Sequence, residues 1–249
     1  MHSIEAFYFG ESKELFGIYT PADGVPKSQG VLICPPLFQE YYKTHFTLRK
    51  VAQDLSEKGF DVLRFDYAGT GDSFGDYQEV TLETWEDNIS TAAAELKALS
   101  GVQSVSLIAV RFAASLLKQV HASAAHTVLW DPLLSGSEYL QHLRETQIQL
   151  VQKHHDLDES DRSQFETQEL VGSAINESLV DQMDKHTRVS MLESGRVTLL
   201  MTKGRRSPDG FLNNANTELL ELDTHCPWED ADLRMLYPHD LIKALVAAL

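Results

Sequence analysis

SVSLIAVRFAAS, residues 104–115, is the stretch of sequence that decides the fold. Its first seven residues are apolar and β-rich, which predicts a strand over 104–110. Helix-forming residues follow at once, so we predict a helix from Phe112 to His121 whose free N–H groups point towards the end of the strand. Such a sharp turn from strand to helix places Arg111 at the carboxyl edge of a parallel sheet.

The same alternation of strand and helix continues on both sides of this stretch. An aromatic-rich hairpin is predicted over 4–20. Further strands are predicted at 30–34, 60–66, 128–130, 196–201 and 217–222, and helices at 43–58, 81–99 and 241–249. The first of these helices carries apolar residues that we assign to one side: Phe46, Leu48, Val51, Ala52 and Leu55. This order predicts a mostly parallel central sheet with helices on both faces.

The alternation of strands and helices stops between residues 136 and 194. This segment is polar and helix-prone, and Ile175, Leu179, Val180 and Met183 recur at helical spacing. We predict a helical cap at 136–194, inserted into a core made of 1–135 and 195–249. The histidines and acidic residues around His154 have no fixed ligand spacing, so we predict a solvated loop and no metal.

Composition narrows the classes of function. The 249 residues are 43% hydrophobic, enough for a sizeable core, and the net charge of −16 argues against nucleic acid and anionic membranes. The two cysteines, Cys34 and Cys226, form no disulfide framework. No signal peptide or membrane-length apolar run is visible, so we expect a cytoplasmic protein without a membrane span. Nothing in the sequence indicates a cofactor.

The turn at Arg111 has the register of a G-x-S-x-G nucleophile elbow, but not its residues. Residues 109–113 read AVRFA, with Arg111 at the position of the serine and alanines at both glycine positions. An arginine cannot attack a carbonyl, because its guanidinium stays protonated. On this stretch alone, a strand followed by a helix in some other α/β protein fits equally well.

Three further stretches carry a family resemblance. GFDVLRFDYAGTGDSFGD (59–76) is similar to the strand and loop before the elbow in serine aminopeptidase-like and lysophospholipase-like hydrolases. PPLFQEYYKTHFTLRKVAQDLSEKG (35–59) and VLWDPLLSGSEYLQHLR (128–144) resemble bacterial hydrolases associated with exosortase systems or biosynthetic clusters, which often have G-x-R-x-G at the elbow. The chain thus resembles the α/β-hydrolase superfamily, which implies the α/β-hydrolase fold and action on esters, thioesters or other acyl groups.

The resemblance also implies positions for the partners of a degenerate triad. Asp209 fits the acid, on the loop after the 196–201 strand, and His225 fits the histidine after the last strand. An ordinary turn aspartate and a loop histidine are the alternatives. Asp131 also ends a strand beside the elbow, so it is a second candidate for the acid or an ion-pair partner of Arg111.

Candidate groups for binding an anion lie on both sides of the elbow. Pro35 and Pro36 have no N–H. In the loop after the 30–34 strand, we therefore expect the backbone N–H that binds an oxyanion to come from Leu37 or Phe38. Arg111 and the N–H of Phe112, with the predicted helix, form a receptor for a carboxylate or phosphate. The remaining candidate nucleophiles have simpler explanations: Ser73 stabilises its own loop, Ser115 lies within the helix, and Cys34 is a buried apolar residue.

Three functions follow from these residues. The first is a hydrolase or acyltransferase that works without the serine, with His225 and Asp209 activating water or a hydroxyl. The second is an inactive hydrolase frame that binds an anionic or acyl small molecule. The third is a scaffold, as a homodimer or with a protein partner from the same biosynthetic cluster. In each case we expect Arg111 to contact a carboxylate, that of Asp131 or Asp209.

Overall fold

Eight strands form one sheet in the computed structural model, which describes residues 4–154, 169–187, 195–208, 216–225, 228 and 238–249. Their bounds are β1 Glu5–Phe9, β2 Leu15–Thr20, β3 Gln29–Cys34, β4 Asp61–Phe65, β5 Ser104–Val110, β6 Thr127–Trp130, β9 Val197–Met201 and β10 Thr217–Glu221. A separate short hairpin consists of β7 Glu169–Leu170 and β8 Ser173–Ala174. The strands of the sheet lie in the order β1-β2-β4-β3-β5-β6-β9-β10.

Six neighbouring strands of this sheet, from β4 to β10, are parallel. The β1–β2 hairpin is antiparallel and joins the edge of the sheet through an antiparallel β2–β4 pair. The predicted hairpin and the predicted parallel sheet are both confirmed. Strand β3 lies between β4 and β5. The chain runs from β3 to β4 on one side of it and then crosses over to β5 on the other side. The crevice between the carboxyl ends of β3 and β5 is therefore the place where ligands bind in open α/β sheets.

The central strands are mostly apolar because both faces of the sheet are covered there. In β3, Val31 and Ile33 belong to one buried cluster and Leu32 to the other. Strand β5 divides in the same way, with Ile108 in one cluster and Leu107 in the other. Side chains alternate between the faces of a strand, so a continuous apolar run is what a central parallel strand requires.

Helices cover the two faces, which confirms the predicted layers. Their bounds are α1 Phe38–Glu57, α2 Leu82–Ser100, α3 Lys118–Ala122, α4 Gly136–His154, α5 Glu177–Lys185 and α6 His239–Ala247. Helices α1 and α6 pack on the face that bears Val31 and Ile33, and α2, α4 and α5 contribute to the other cluster. Helix α2 begins at a capping box formed by Thr81 and Thr84 and ends at Gly101, whose φ of 70° lies in the left-handed region.

Helix α1 differs from the prediction in two respects. It begins at Phe38, five residues before the predicted start at 43, immediately after the extended residue Leu37. Phe46, which we assigned to the buried side, is 39% exposed, whereas Leu48 and Val51 are buried. Residues two positions apart on a helix point about 200° apart, so Phe46 and Leu48 cannot share a face.

The segment predicted as a cap contains α4, the β7–β8 hairpin and α5. Its residues Tyr139, Leu143, Leu179 and Met183 are buried in the same apolar cluster as α2. The hairpin was not predicted, and the boundaries of the cap stay a prediction, because 155–168 and 188–194 lie outside the described residues. None of the helices in the described ranges has the length and apolar character to cross a membrane.

Candidate functional site

The turn after β5 is a strained elbow with an arginine at its apex. Arg111 has φ 57°, in the left-handed region that residues with a side chain seldom adopt. Phe38, which follows β3, and Asp131, which follows β6, also have positive φ values of 53° and 42°. Each such residue costs roughly 1–2 kcal/mol. Strained backbone that gathers at the ends of three adjacent strands points to a site built at this edge.

The element after the elbow is shorter than predicted. Instead of one helix from Phe112 to His121, a 3₁₀ turn covers Arg111–Leu116 and the five-residue helix α3 follows. All six residues of the turn are buried, and Ser115 Oγ donates a 2.8 Å hydrogen bond to the carbonyl of Phe112. Tertiary packing thus overrides helix propensity here. A short 3₁₀ turn has little dipole, which removes one support for the predicted anion receptor.

The guanidinium of Arg111 is enclosed by protein groups. Its Nε donates a 2.8 Å hydrogen bond to Oε1 of Glu40, and the two side chains are only 1% and 4% exposed. Its Nη1 donates to the backbone carbonyl of Asp131 at 3.3 Å, and its Cζ lies 4.8 Å from the ring centroid of Trp228. These contacts form a buried ion pair with an additional cation–π interaction.

The expected ion pair between Arg111 and the carboxylate of Asp131 was wrong. The Asp131 carboxylate is occupied by other donors: the N–H and Oγ1 of Thr202, at 2.8 and 2.5 Å, and Nε1 of Trp228, at 2.8 Å. Three donors satisfy this buried carboxylate without Arg111. Asp209, the other expected partner, lies outside the described residues.

Glu40 is the residue at this site that the sequence reasoning missed. It lies in the first turn of α1, in residues assigned to a loop. An acidic residue in the four positions after a Pro-Pro pair is a signal of a helix start, which would have placed Glu40 on α1 but not against Arg111. Burial by itself raises the pKa of Glu40, but the charge of Arg111 and then His142 outweigh burial and hold that pKa below its ordinary value. Glu40 is therefore ionised at neutral pH.

His142, on α4, extends the ion pair towards the surface. Its Nε2 lies 3.4 Å from Oε1 of Glu40, and its side chain is 22% exposed. The order from the inside outwards is guanidinium, carboxylate, imidazole. A carboxylate that orients a partly exposed histidine is the arrangement of a general base.

Aromatic side chains occupy the space between the elbow and the loop after β3. The ring of Phe38 stacks on Tyr77, and Phe112 stacks on Tyr139, with centroids 4.8 and 4.9 Å apart. The N–H of Phe38 donates to the hydroxyl of Tyr77 at 3.3 Å, and the carbonyl of Leu37 accepts from the hydroxyl of Tyr139 at 3.1 Å. The expected oxyanion donor at Phe38 already has a partner, and Leu37 and Phe112 are buried.

Solved structures of known proteins share this fold. An α/β serine hydrolase without a lid from Xanthomonas campestris aligns with a TM-score of 0.58 at 14% identity, over 99% of this chain and 92% of its own. An α/β serine hydrolase homologue from Coxiella burnetii aligns with a TM-score of 0.58 at 14% identity, over 98% and 97%. The chain has the α/β-hydrolase fold.

A further neighbour is an esterase from Pyrococcus furiosus, with a TM-score of 0.58 at 15% identity, over 89% of this chain and 82% of that one. No protein-family model matches the sequence. No curated protein matches it either. Identities of this size establish the fold, whereas the chemistry depends on the residues at the elbow.

The other candidate nucleophiles of this hydrolase fold are engaged or buried. Ser73 Oγ donates to the carbonyl of Asp66 at 2.7 Å and accepts from the N–H of Phe16 at 2.8 Å, so it stabilises its loop. Ser115 is buried within the 3₁₀ turn. Burial raises the pKa of the Cys34 thiol far above its ordinary value, which keeps it protonated and unreactive.

The remaining predicted triad position, His225, is exposed in the segment after β10. Its pairing with Asp209 stays a prediction, because Asp209 is not among the described residues. Within the described ranges, no group of three histidine, cysteine, aspartate or glutamate residues could hold a metal ion. In the described chain, the ionisable groups gathered at the elbow are Arg111, Glu40, His142 and Asp131.

Proposed function

We propose that this chain is an α/β-hydrolase-fold protein that does not carry out serine-hydrolase chemistry and serves as a binding protein or partner subunit. The observation that carries the proposal is the buried Arg111–Glu40 ion pair at the nucleophile position. A guanidinium stays protonated in proteins and provides no lone pair for attack. Losing the nucleophile of a serine triad typically reduces turnover by about 10⁶-fold.

The finer assignments are part of the same proposal. The stretches at 35–59 and 128–144 support a relationship to the hydrolases associated with exosortase systems or biosynthetic clusters. In that setting we expect a cytoplasmic protein that handles an acyl or anionic small molecule, as a homodimer or with a protein partner. Asp209 and His225 would then be remnants of the triad.

A fluorophosphonate probe tests the loss of serine chemistry directly, because such probes react only with an activated serine. Intact-mass analysis after incubation should show no adduct, while a competent esterase treated in parallel is fully labelled. Stoichiometric labelling of one serine would refute the proposal and reveal a displaced elbow.

The contact between His142 and Glu40 favours a second function, hydrolysis by an activated water. His142 is partly exposed and lies 3.4 Å from a buried, ionised carboxylate, so it can accept a proton from water on its outer side. Turnover of an activated ester that disappears in His142→Ala but persists in Gln141→Ala, an exposed neighbour on α4, would establish this function. Equal background rates in all three proteins would exclude it.

A further inference from the structure

A cavity lies away from the elbow, on the face of the sheet that α1 covers. It has a volume of about 60 Å³ and is bounded by α1, the strands β2, β3 and β4, and the loop after β4. Neither Arg111 nor Glu40 is among its lining residues, which are Phe16, Ile18, Ile33, Pro35, Tyr41, His45, Leu48, Arg64, Phe65, Asp66 and Asp72. Six of them are apolar, and the other five are ionisable.

Arg64 is the cation of this cavity, and it is poorly neutralised. Its Nε is buried and has no hydrogen-bond partner within the described part of the chain. No carboxylate of the described residues is paired with it as a salt bridge. Burial lowers its pKa below the ordinary value, while Tyr41 and Asp66 act in the opposite direction. A buried guanidinium N–H without an acceptor is costly, so an anion that accepts a hydrogen bond from Nε is favoured here.

Asp66 does not complete the site, because its carboxylate is directed to its own loop. Oδ1 accepts a 2.7 Å hydrogen bond from the hydroxyl of Tyr41, and Oδ2 accepts a 3.0 Å bond from the N–H of Asp72. Gly71 lies so close to this carboxylate that a Cβ there would be 2.2 Å from Oδ2. Burial raises the pKa of Asp66 above its ordinary value.

His45 provides a second polar partner on the wall of the cavity. It lies one turn after Tyr41 on α1, and the two rings are in contact, with centroids 6.0 Å apart. Burial, followed by the charge of Arg64, lowers the pKa of His45 below its ordinary value of 6.5, so the ring is neutral at pH 7. A neutral imidazole donates one hydrogen bond without adding charge.

The remaining lining residues of the cavity and its volume limit the chemistry and the size of the ligand. Phe16, Ile33 and Leu48 present apolar surface opposite a single guanidinium. If one water-sized group requires about 10–15 Å³, a 60 Å³ cavity holds roughly four to six non-hydrogen atoms. We propose that this cavity binds a short-chain carboxylate, with its carboxylate on Arg64 and its chain among the apolar residues. A phosphate dianion fits worse, because two charges would face one cation beside Asp66 and Asp72.

Calorimetric titration with sodium butyrate tests the proposal, with butyramide as the uncharged analogue. Arg64→Gln removes the cation, and Arg49→Gln is the matched control, because Arg49 is an exposed arginine that affects Arg64 and His45 only through its charge. We expect wild type and Arg49→Gln to bind butyrate similarly. Arg64→Gln should bind at least about tenfold more weakly, the effect of one lost charge-assisted hydrogen bond.

Each of these titrations can refute the proposed carboxylate site. Butyrate binding that is unchanged in Arg64→Gln would show that another site is responsible. Equal affinity for butyramide would show that the carboxylate is not recognised. Octanoate should bind more weakly than butyrate, because its chain exceeds the volume of the cavity; tighter binding would assign the ligand to an open apolar surface instead. Absence of binding to wild type up to about 10 mM butyrate would reject a carboxylate site altogether.

Discussion

Replacing Arg111 with methionine should destabilise the protein far more than removing Arg111 and Glu40 together. Methionine keeps much of the volume of the arginine side chain but leaves the Glu40 carboxylate, 4% exposed, without the guanidinium and with His142 Nε2 at 3.4 Å. Breaking a buried pair in this way costs about 3–5 kcal/mol. For a chain of this length each kcal/mol lowers Tm by about 2–4 °C, so we expect a decrease of roughly 6–20 °C.

The double variant Arg111→Met, Glu40→Met is the control. It removes the carboxylate along with the guanidinium, so no buried charge is left unpaired, and a well-packed apolar replacement of an ion pair is close to neutral. Residue 111 remains a non-glycine residue at φ 57° in both variants, so the strain of the elbow cancels in the comparison. The double-mutant cycle should give a coupling energy of at least about 2 kcal/mol.

Urea denaturation at several pH values provides an independent check. In wild type the pKa of Glu40 is below its ordinary value of 4.5, so the ion pair contributes stability above that pH and loses it as the pH falls. Without Arg111, burial dominates and the pKa of Glu40 rises. The difference in free energy of unfolding between wild type and Arg111→Met should therefore become smaller at acidic pH. A loss below about 1 kcal/mol, or a double variant no more stable than the single one, would refute the buried ion pair.

Three further predictions concern other parts of the fold. Burial lowers the pKa of His126, which is hydrogen-bonded to Thr198, to about 4, so wild-type stability should fall as the pH drops from about 6.5 to 4, and His126→Gln should remove this part of the denaturation profile. Thr81→Ala removes the cap of α2 and should cost about 1 kcal/mol by urea denaturation. Cys34 is buried, so peptide mapping after brief iodoacetamide treatment should find it alkylated only in denaturant.

The layers of the fold were predictable because they depend on local pattern. A parallel strand buried on both faces is mostly apolar, as β3 and β5 are, and glycines and prolines mark where such runs end. The end of β5 and the turn at Arg111 follow from the same pattern. The structure therefore has its elbow at the residue where the sequence placed it.

The partners of Arg111 were not predictable in the same way. Glu40 and Trp228 are distant from Arg111 in sequence, and only tertiary packing brings them together. Asp131 was expected to contribute its carboxylate. In the structure its carboxylate accepts a hydrogen bond from Thr202, and only its backbone carbonyl accepts one from Arg111. Helix propensity likewise gave no sign of the 3₁₀ turn, since tertiary burial determines it.

The turn after β5 is strained with an arginine at its apex, and the contacts of Arg111 give a physical reason. A guanidinium has five donors on a long side chain, whereas a serine has one short hydroxyl. From the end of β5, Arg111 reaches Glu40 beyond β3, the Asp131 carbonyl beyond β6, and Trp228 beyond β10. It thus connects the ends of separate strands in the place where a hydrolase would hold its substrate. These contacts hold the side chain between three separate segments of the chain, and a backbone at φ 57° persists where the surrounding structure fixes it in this way.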